Sequence, residues 1–272
     1  MYYVYIRKEK CIVSEIIAVA IQKGGCGKTS TTLCLGNSLK EMGYQVLLVD
    51  LDPQGNLSYG VGMEESEKTI YDLLREEAEG KRRLLVSDVI IHSKSYDMDV
   101  IPANIRLAGG EREFTNLGRE YLLQKVLKEV KSQYDFILID CPPSLGIFTV
   151  NAFTAATKVL IPTEPTYFAL QGLEQLNNTI ETVKEYYNDS LQVLGVLLTR
   201  YDKRTNLARF AVEEIEDIVK EMGTELFDTR IGESVVVKEA QSIQEPLNKH
   251  EPKSAVNLQY KAVAKEILER VK

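Results

Sequence analysis

Six consecutive apolar residues, Ile16-Ile17-Ala18-Val19-Ala20-Ile21, run straight into a glycine-rich turn, Gln22-Lys23-Gly24-Gly25-Cys26-Gly27. An apolar run without alternation suits a strand buried on both faces, as in a parallel sheet. From Lys28 to Met42 the pattern turns helical, with Leu35, Leu39 and Met42 on one face and Gly43 placed to stop it. Gln45–Asp50 reads as the next buried strand. Strand, helix and strand at this spacing make a βαβ unit, which crosses over right-handed.

The alternation continues along the chain. It predicts helices at Gln124–Ser132, Asn151–Thr157, Gly172–Tyr187 and Asn206–Met222, and a closing amphipathic helix at Ser254–Val271. It predicts strands at Tyr134–Asp140, Lys158–Pro162, Leu191–Thr199 and Thr224–Ile231. The charged stretch Met63–Lys94 reads as a short helix, Thr69–Glu79, plus loops. The expected fold is α/β: one doubly wound, mostly parallel sheet with flanking helices, spanning residues 15–272. Residues 1–14 stand apart as a leader. Tyr3 and Tyr5 alternate with Val4 and Ile6, as in an edge strand; a mobile leader without a role is the other reading.

Composition narrows the function classes. With 44% apolar and 27% charged residues among 272, the chain can bury a full core. Its apolar stretches are too short to span a bilayer, and Tyr2–Ile6 lacks the apolar length of a signal peptide. The expected location is the cytoplasm, with no membrane partner. Cys11, Cys26, Cys34 and Cys141 form no CxxC pair, so they read as reduced thiols and not as zinc ligands. A net charge of −7 argues against a globally basic nucleic-acid binder but leaves room for a local basic patch.

The loop between the first strand and helix carries the chemistry. It gathers backbone N–H groups and a helix N-terminus at one point, which makes an anion site. Gly24, Gly25 and Gly27 let the backbone curl around phosphate oxygens. Lys28 reaches β- and γ-phosphates, and the Thr29 hydroxyl can ligate Mg²⁺. The ordinary phosphate-loop pattern begins with Gly, where this chain has Gln22 followed by a second lysine, Lys23. Lys23 lies too early to do the work of Lys28. It is either a solvated surface lysine or faces an anion, such as the nucleotide of a second subunit. Asp50 and Asp52 leave the end of the second strand, and Asp140 the end of another, at the edge where open parallel sheets bind ligands. Asp52 is placed to orient an attacking or Mg²⁺-bound water, Asp50 to hold the metal shell, and Asp140 to hold Mg²⁺ through water.

These residues carry a resemblance. KGGCGKT (Lys23–Thr29), LLVDLDPQGN (Leu47–Asn56) and ILIDCPPSLG (Ile137–Gly146), in that order, resemble the ParA/Soj branch of the deviant Walker A P-loop NTPases. The likeness runs from about Glu15 to the C-terminus and includes Pro162–Pro165, Ala169–Leu173 and Leu197–Asp202. It implies an ATP- and Mg²⁺-dependent ATPase with slow turnover. ATP would drive a sandwich homodimer in which Lys23 reaches the partner's nucleotide. Lys28 and Thr29 would serve ATP and Mg²⁺ in cis, Asp52 would position the water, and Cys26 and Ser30 would complete the phosphate site. Asp50–Asn56 and Asp140–Ser144 would act as switches. The base would lie against Thr199–Asp202 and Ile231–Ser234, with Asp202 and Gly232 in contact.

The resemblance further implies that the ATP dimer binds double-stranded DNA without sequence preference. A ParB-type centromere-binding partner would then stimulate hydrolysis, in plasmid or chromosome partition on the nucleoid. The candidate DNA contacts are Lys203, Arg204, Arg209, Arg230 and Lys238. The chain departs from the family after Thr229-Arg230-Ile231, where Gly232-Glu233-Ser234-Val235-Val236-Val237 replaces the usual Pro-Arg-Asn run and Val236 stands for a DNA-contacting arginine. Positioning of a protein cargo shares the same core motifs. A MinD-like membrane ATPase would need a basic, bulky C-terminal helix, unlike AVNLQYKAVAKEILERVK. An iron protein would need a second cluster cysteine beside Cys141.

Overall fold

The computed structural model describes residues 14–63, 66–202, 204 and 206–272. The leader up to residue 13, Lys203 and the Arg209 side chain lie outside the described residues.

Seven strands form one sheet: β1 (Glu15–Val19), β2 (Val46–Asp50), β3 (Ile91–Ser93), β4 (Met98–Ile101), β5 (Phe136–Asp140), β6 (Lys158–Thr163) and β7 (Gln192–Leu198). Their order is β3-β4-β2-β5-β1-β6-β7. All neighbours pair in parallel except the edge strand β3, which runs antiparallel to β4. The helices are α1 (Lys28–Glu41), α2 (Asn56–Gly60), α3 (Ile70–Ala78), α4 (Gly110–Glu113), α5 (Leu122–Lys128), α6 (Ile147–Ala155), α7 (Tyr167–Tyr186), α8 (Asn206–Glu221), α9 (Val236–Ser242), α10 (Leu247–His250) and α11 (Ala255–Arg270).

Alternate residues of each buried strand feed opposite faces, as the pleat requires. Ile16, Ala18, Leu47, Val49, Ile137 and Ile139 pack with residues of α3 and α5–α8. Ile17, Val19, Val46, Leu48, Phe136 and Leu138 pack with α1, α9 and α11. Both faces of the sheet are therefore covered, which is why the central strands read as unbroken apolar runs. Strand register then sets the site. Asp50, the last residue of β2, is the Cα partner of Asp140, the last residue of β5. Val19, which ends β1, pairs with Asp140 from the other side.

The doubly wound α/β architecture is as expected, and several elements differ in detail. Thr224–Ile231 forms no strand; it runs beside β7 with one parallel bridge, Val196 to Leu226. The N–H groups of Asp228 and Thr229 go instead to the Glu266 carboxylate of α11, both at 3.0 Å, so the ladder stops. The segment comes so close that a Cβ on Gly195, at φ +153°, would meet the Phe227 ring at 2.7 Å and the Glu225 carbonyl at 2.9 Å. The short strands β3 and β4 arise in a region read as loops or left unassigned, and each is too short for a period-2 pattern to stand out. Helix α6 starts at Ile147, ahead of the expected Asn151, and α7 at Tyr167, ahead of Gly172. The Val235–Val237 run enters helix α9, which β-branched residues gave no sign of.

Candidate functional site

The loop leaves β1 through buried Ala20 and Ile21 and turns into α1. Gly25 (φ 80°) and Gly27 (φ 78°) hold left-handed backbone that a side chain would strain. A Cβ on Gly24 or Gly25 would meet nothing within 4 Å, so the concave side is open. The N-cap of α1 is Gly27, which has no side chain to cap the first turn. A 14-residue helix thus presents its positive end and its leading N–H groups to the loop. The floor is fixed by Thr199, whose hydroxyl donates to the Cys26 carbonyl at 3.0 Å. Burial pushes the Cys26 thiol up, so it packs as a neutral group. Lys28 is buried, and its ammonium donates to the Lys23 carbonyl at 2.9 Å across the loop. Ser30 accepts from Gln241 of α9 at 3.3 Å, a contact that connects the phosphate loop to the Val235–Val237 helix.

Beneath the loop sit the acids. Asp140 is fully buried, and its Oδ2 accepts from the Thr29 hydroxyl at 2.7 Å. Its Oδ1 is buried without a hydrogen-bond partner. Burial, then the neighbouring Asp50 charge, raises the Asp140 carboxyl well above the usual range. Asp50 is also fully buried and pushed up to about 6, mainly by burial against the lowering pull of Ser58. Its oxygens are spent locally: Oδ2 accepts from Ser58 N–H (2.9 Å) and Ser58 hydroxyl (2.6 Å), and Oδ1 from Asp52 N–H (3.1 Å). Ser58 in turn accepts from the Ala103 N–H at 2.9 Å, so Asp50 organises the loop that carries Asp52. Asp52 is buried and accepts from Gln54 N–H at 3.0 Å. Among the described residues no three His, Cys, Asp or Glu side chains converge as a ready metal cage. The donor set fits Mg²⁺ nonetheless. A hydroxyl, a buried carboxylate with a spare oxygen, and an open phosphate cradle supply hard oxygen ligands directly and through water.

Lys23 has partners in its own chain, although its side chain is 37% exposed. Its ammonium donates to Glu164 Oε2 and to the Thr166 hydroxyl, both at 3.4 Å. The other Glu164 oxygen accepts from Arg200 at 2.7 Å. Neither Glu164 nor Arg200 was singled out in the sequence, although Glu164 lies in the Pro162–Pro165 segment of the resemblance and Arg200 in Leu197–Asp202.

The two segments expected to hold the base do come together. Tyr201 N–H donates to the Ile231 carbonyl at 2.9 Å, and Ile231 N–H to that of Leu198 at 2.8 Å. Gly232 N–H is held by Gln259 of α11 at 3.0 Å. Asp202 accepts from Arg204 through several bonds, the shortest 2.8 Å, and Arg204 holds its carboxyl down at about 2. Two residues read as separate, one for the nucleotide and one for DNA, thus form one ion pair. The Arg204 side chain is still 84% exposed. Arg230 lies 4.7 Å over the Tyr201 ring and is half-buried, whereas Lys238 is exposed on α9. Cys26, Cys34 and Cys141 are free thiols; Cys11 lies outside the described residues.

A glycine-rich loop opening a helix, with lysine ahead of it and buried aspartates on two adjacent strand ends, defines a P-loop nucleotide-binding protein of the deviant type. Known proteins take the assignment further. The AAA domain family matches residues 14–193. The sporulation initiation inhibitor protein Soj of Bacillus subtilis is 43% identical over 258 residues, covering 94% of this chain and 98% of Soj. The chromosome partitioning protein ParA of Caulobacter vibrioides is 39% identical over 261 residues, covering 94% of each. The chain belongs to the ParA/Soj family of chromosome-partitioning ATPases. Among solved structures, cobyrinic acid a,c-diamide synthase from Mycobacterium smegmatis with bound ATP analog and magnesium superposes with a TM-score of 0.81. It is 33% identical and covers 94% of this chain and 95% of its own. Among the described residues no helix is long and apolar enough to cross a membrane.

Proposed function

We propose that this chain is an ATP-driven dimerising switch of DNA partition. Lys28, Thr29 and the loop N–H groups of Gly24–Ser30 bind the phosphates, while Asp202 and Gly232 flank the base. Thr29 and Asp140 would hold Mg²⁺, the acid through water, with Asp50 and Asp52 contributing to its shell. Mg²⁺ in that place would neutralise charge on the β- and γ-phosphates. Asp52 orients the water for slow hydrolysis to ADP and phosphate. Lys23 acts on the nucleotide of a second subunit, so only the ATP form makes a sandwich dimer. The dimer binds double-stranded DNA without sequence preference through Arg204 and Lys238, with Lys203, Arg209 and Arg230 nearby in sequence. A ParB-type partner stimulates hydrolysis and releases it, in the cytoplasm on the nucleoid.

One observation carries this reading. The Thr29–Asp140 bond leaves a buried carboxylate oxygen unsatisfied directly under an uncapped, open phosphate loop. A buried acceptor left alone is costly, and a hydrated cation between the carboxylate and a triphosphate would remove that cost. The test is a DNA-binding titration with ATP, ADP and no nucleotide across salt concentrations. The expected result is binding with ATP only, weakening steeply with salt. Equal binding in all three states would overturn the switch.

A further inference from the structure

Lys23 has a partner before any second subunit arrives. Glu164 sits at the end of β6 with its side chain only 15% exposed, and divides its two oxygens between two cations. Arg200 takes one at 2.7 Å, a short and well-formed pair. Lys23 takes the other at 3.4 Å, with Thr166 at the same distance. The Arg200 side has the shorter contact and a constrained backbone. Its φ of 49° is left-handed, a conformation that costs any non-glycine residue energy and marks a position held by its surroundings. The preceding Thr199 is bonded to the loop itself, at the Cys26 carbonyl. The Lys23 side is loose, on a flexible stem and at the outer limit of hydrogen-bond length.

We propose that Glu164 is a cis latch for Lys23, occupying its ammonium with a weak carboxylate contact until the phosphate of a partner's nucleotide displaces it. This rests on the cross-subunit role of Lys23. Glu164 is then a positioning residue that sets how much ATP-bound protein is needed to dimerise. The physical logic is a competition between anions. A triphosphate in the partner offers more charge and more acceptor oxygens than one shared carboxylate oxygen. Arg200 tunes the competition, because the more of Glu164 it holds, the less is left for Lys23. An ion pair this exposed shifts an equilibrium by at most roughly fivefold. A dimer must open two latches, so the effect enters the dimer constant twice.

Sedimentation velocity on the full chain, with Mg²⁺ and a non-hydrolysable ATP analogue, tests this. Nucleotide affinity is measured in parallel. Glu164→Gln keeps the shape and removes the charge. It should tighten the dimer by roughly tenfold, about threefold per latch. Arg200→Gln should weaken it, since Glu164 is left to Lys23 alone. Both gaps should shrink at about 0.5 M salt, where exposed pairs are screened. A purely structural Glu164–Arg200 pair would move both variants the same way. That outcome, or a Glu164→Gln dimer no tighter than the parent, overturns the latch. If Glu164→Gln fails to fold, Thr166→Val, which removes the other cis partner of Lys23, should still tighten the dimer, and no change would overturn the proposal. Lys23→Ala separates the two ideas. A monomeric Lys23→Ala with an unaltered Glu164→Gln sinks only the latch, whereas a Lys23→Ala that dimerises normally sinks the cross-subunit role.

Discussion

The nucleotide end and the proposed output end of this molecule are built differently. At the nucleotide end, Lys23–Thr29, Asp50 and Asp140 are placed by strand ends and one helix start, with Lys28 bonded across the loop and Thr29 bonded to Asp140. At the output end, Arg204 is turned onto Asp202, Arg230 onto Tyr201, and Lys238 rides on the short helix α9. The first region is specified by backbone geometry and buried charge. The second is a set of surface cations, Arg204 and Lys238 exposed and Arg230 half-buried, none of them placed by a strand end. A single change should therefore act like a switch in the first region and like a dial in the second.

The largest effect is expected from Lys28→Ala, which removes the buried ammonium that spans the loop. Charge-assisted contacts to two phosphates should be lost, lowering affinity for ATP by roughly a hundredfold or more, as read by isothermal titration calorimetry. A loss below about threefold would mean the loop does not cradle phosphate through Lys28. Next in size is Ser58→Ala. It strips Asp50 of the hydroxyl bond at 2.6 Å and frees the Ala103 N–H, so the ligand-free fold should lose about 1–3 kcal/mol in urea unfolding. An unchanged midpoint would show that the Asp50 loop is not held as described.

The third expectation concerns pH. Asp50 and Asp140 are raised in the fold, so the ligand-free protein binds protons that the unfolded chain does not. That stability is present below the ordinary carboxylate range and is lost as pH rises through about 6, the folded value of Asp50. Divalent cation binding needs these carboxylates ionised. The rise in melting temperature produced by Mg²⁺ and ATP should therefore grow between about pH 5.5 and about pH 7.5. A rise independent of pH would place the metal elsewhere. The smallest effect is expected at the output end. Arg204→Ala should weaken DNA binding only about threefold and reduce the salt slope by about one. A complete loss would mean the dial is a switch after all.

Much of the first region was legible in the sequence, because the constraints are local. Apolar runs bounded by glycine announce buried parallel strands, and a lysine and threonine opening a helix announce a phosphate loop. That Asp50 and Asp140 are register partners came only with the strand order, which the sequence did not show. What escaped was set by tertiary partners. Thr224–Ile231 has strand composition, yet Glu266 of α11 takes its N–H groups. Glu164 is one charge among many in the sequence until the fold sets it between Lys23 and Arg200. Asp202 and Arg204 are two residues apart, and only the turn geometry makes them a pair.

The proposed cross-subunit role of Lys23 makes this a dimerising P-loop. It is tested most directly by size-exclusion chromatography with ATP, comparing Asp52→Ala with Lys23→Ala/Asp52→Ala. The slowed Asp52→Ala protein should elute as a dimer and the double variant as a monomer that still binds ATP. A double variant that still dimerises with ATP would contradict the claim.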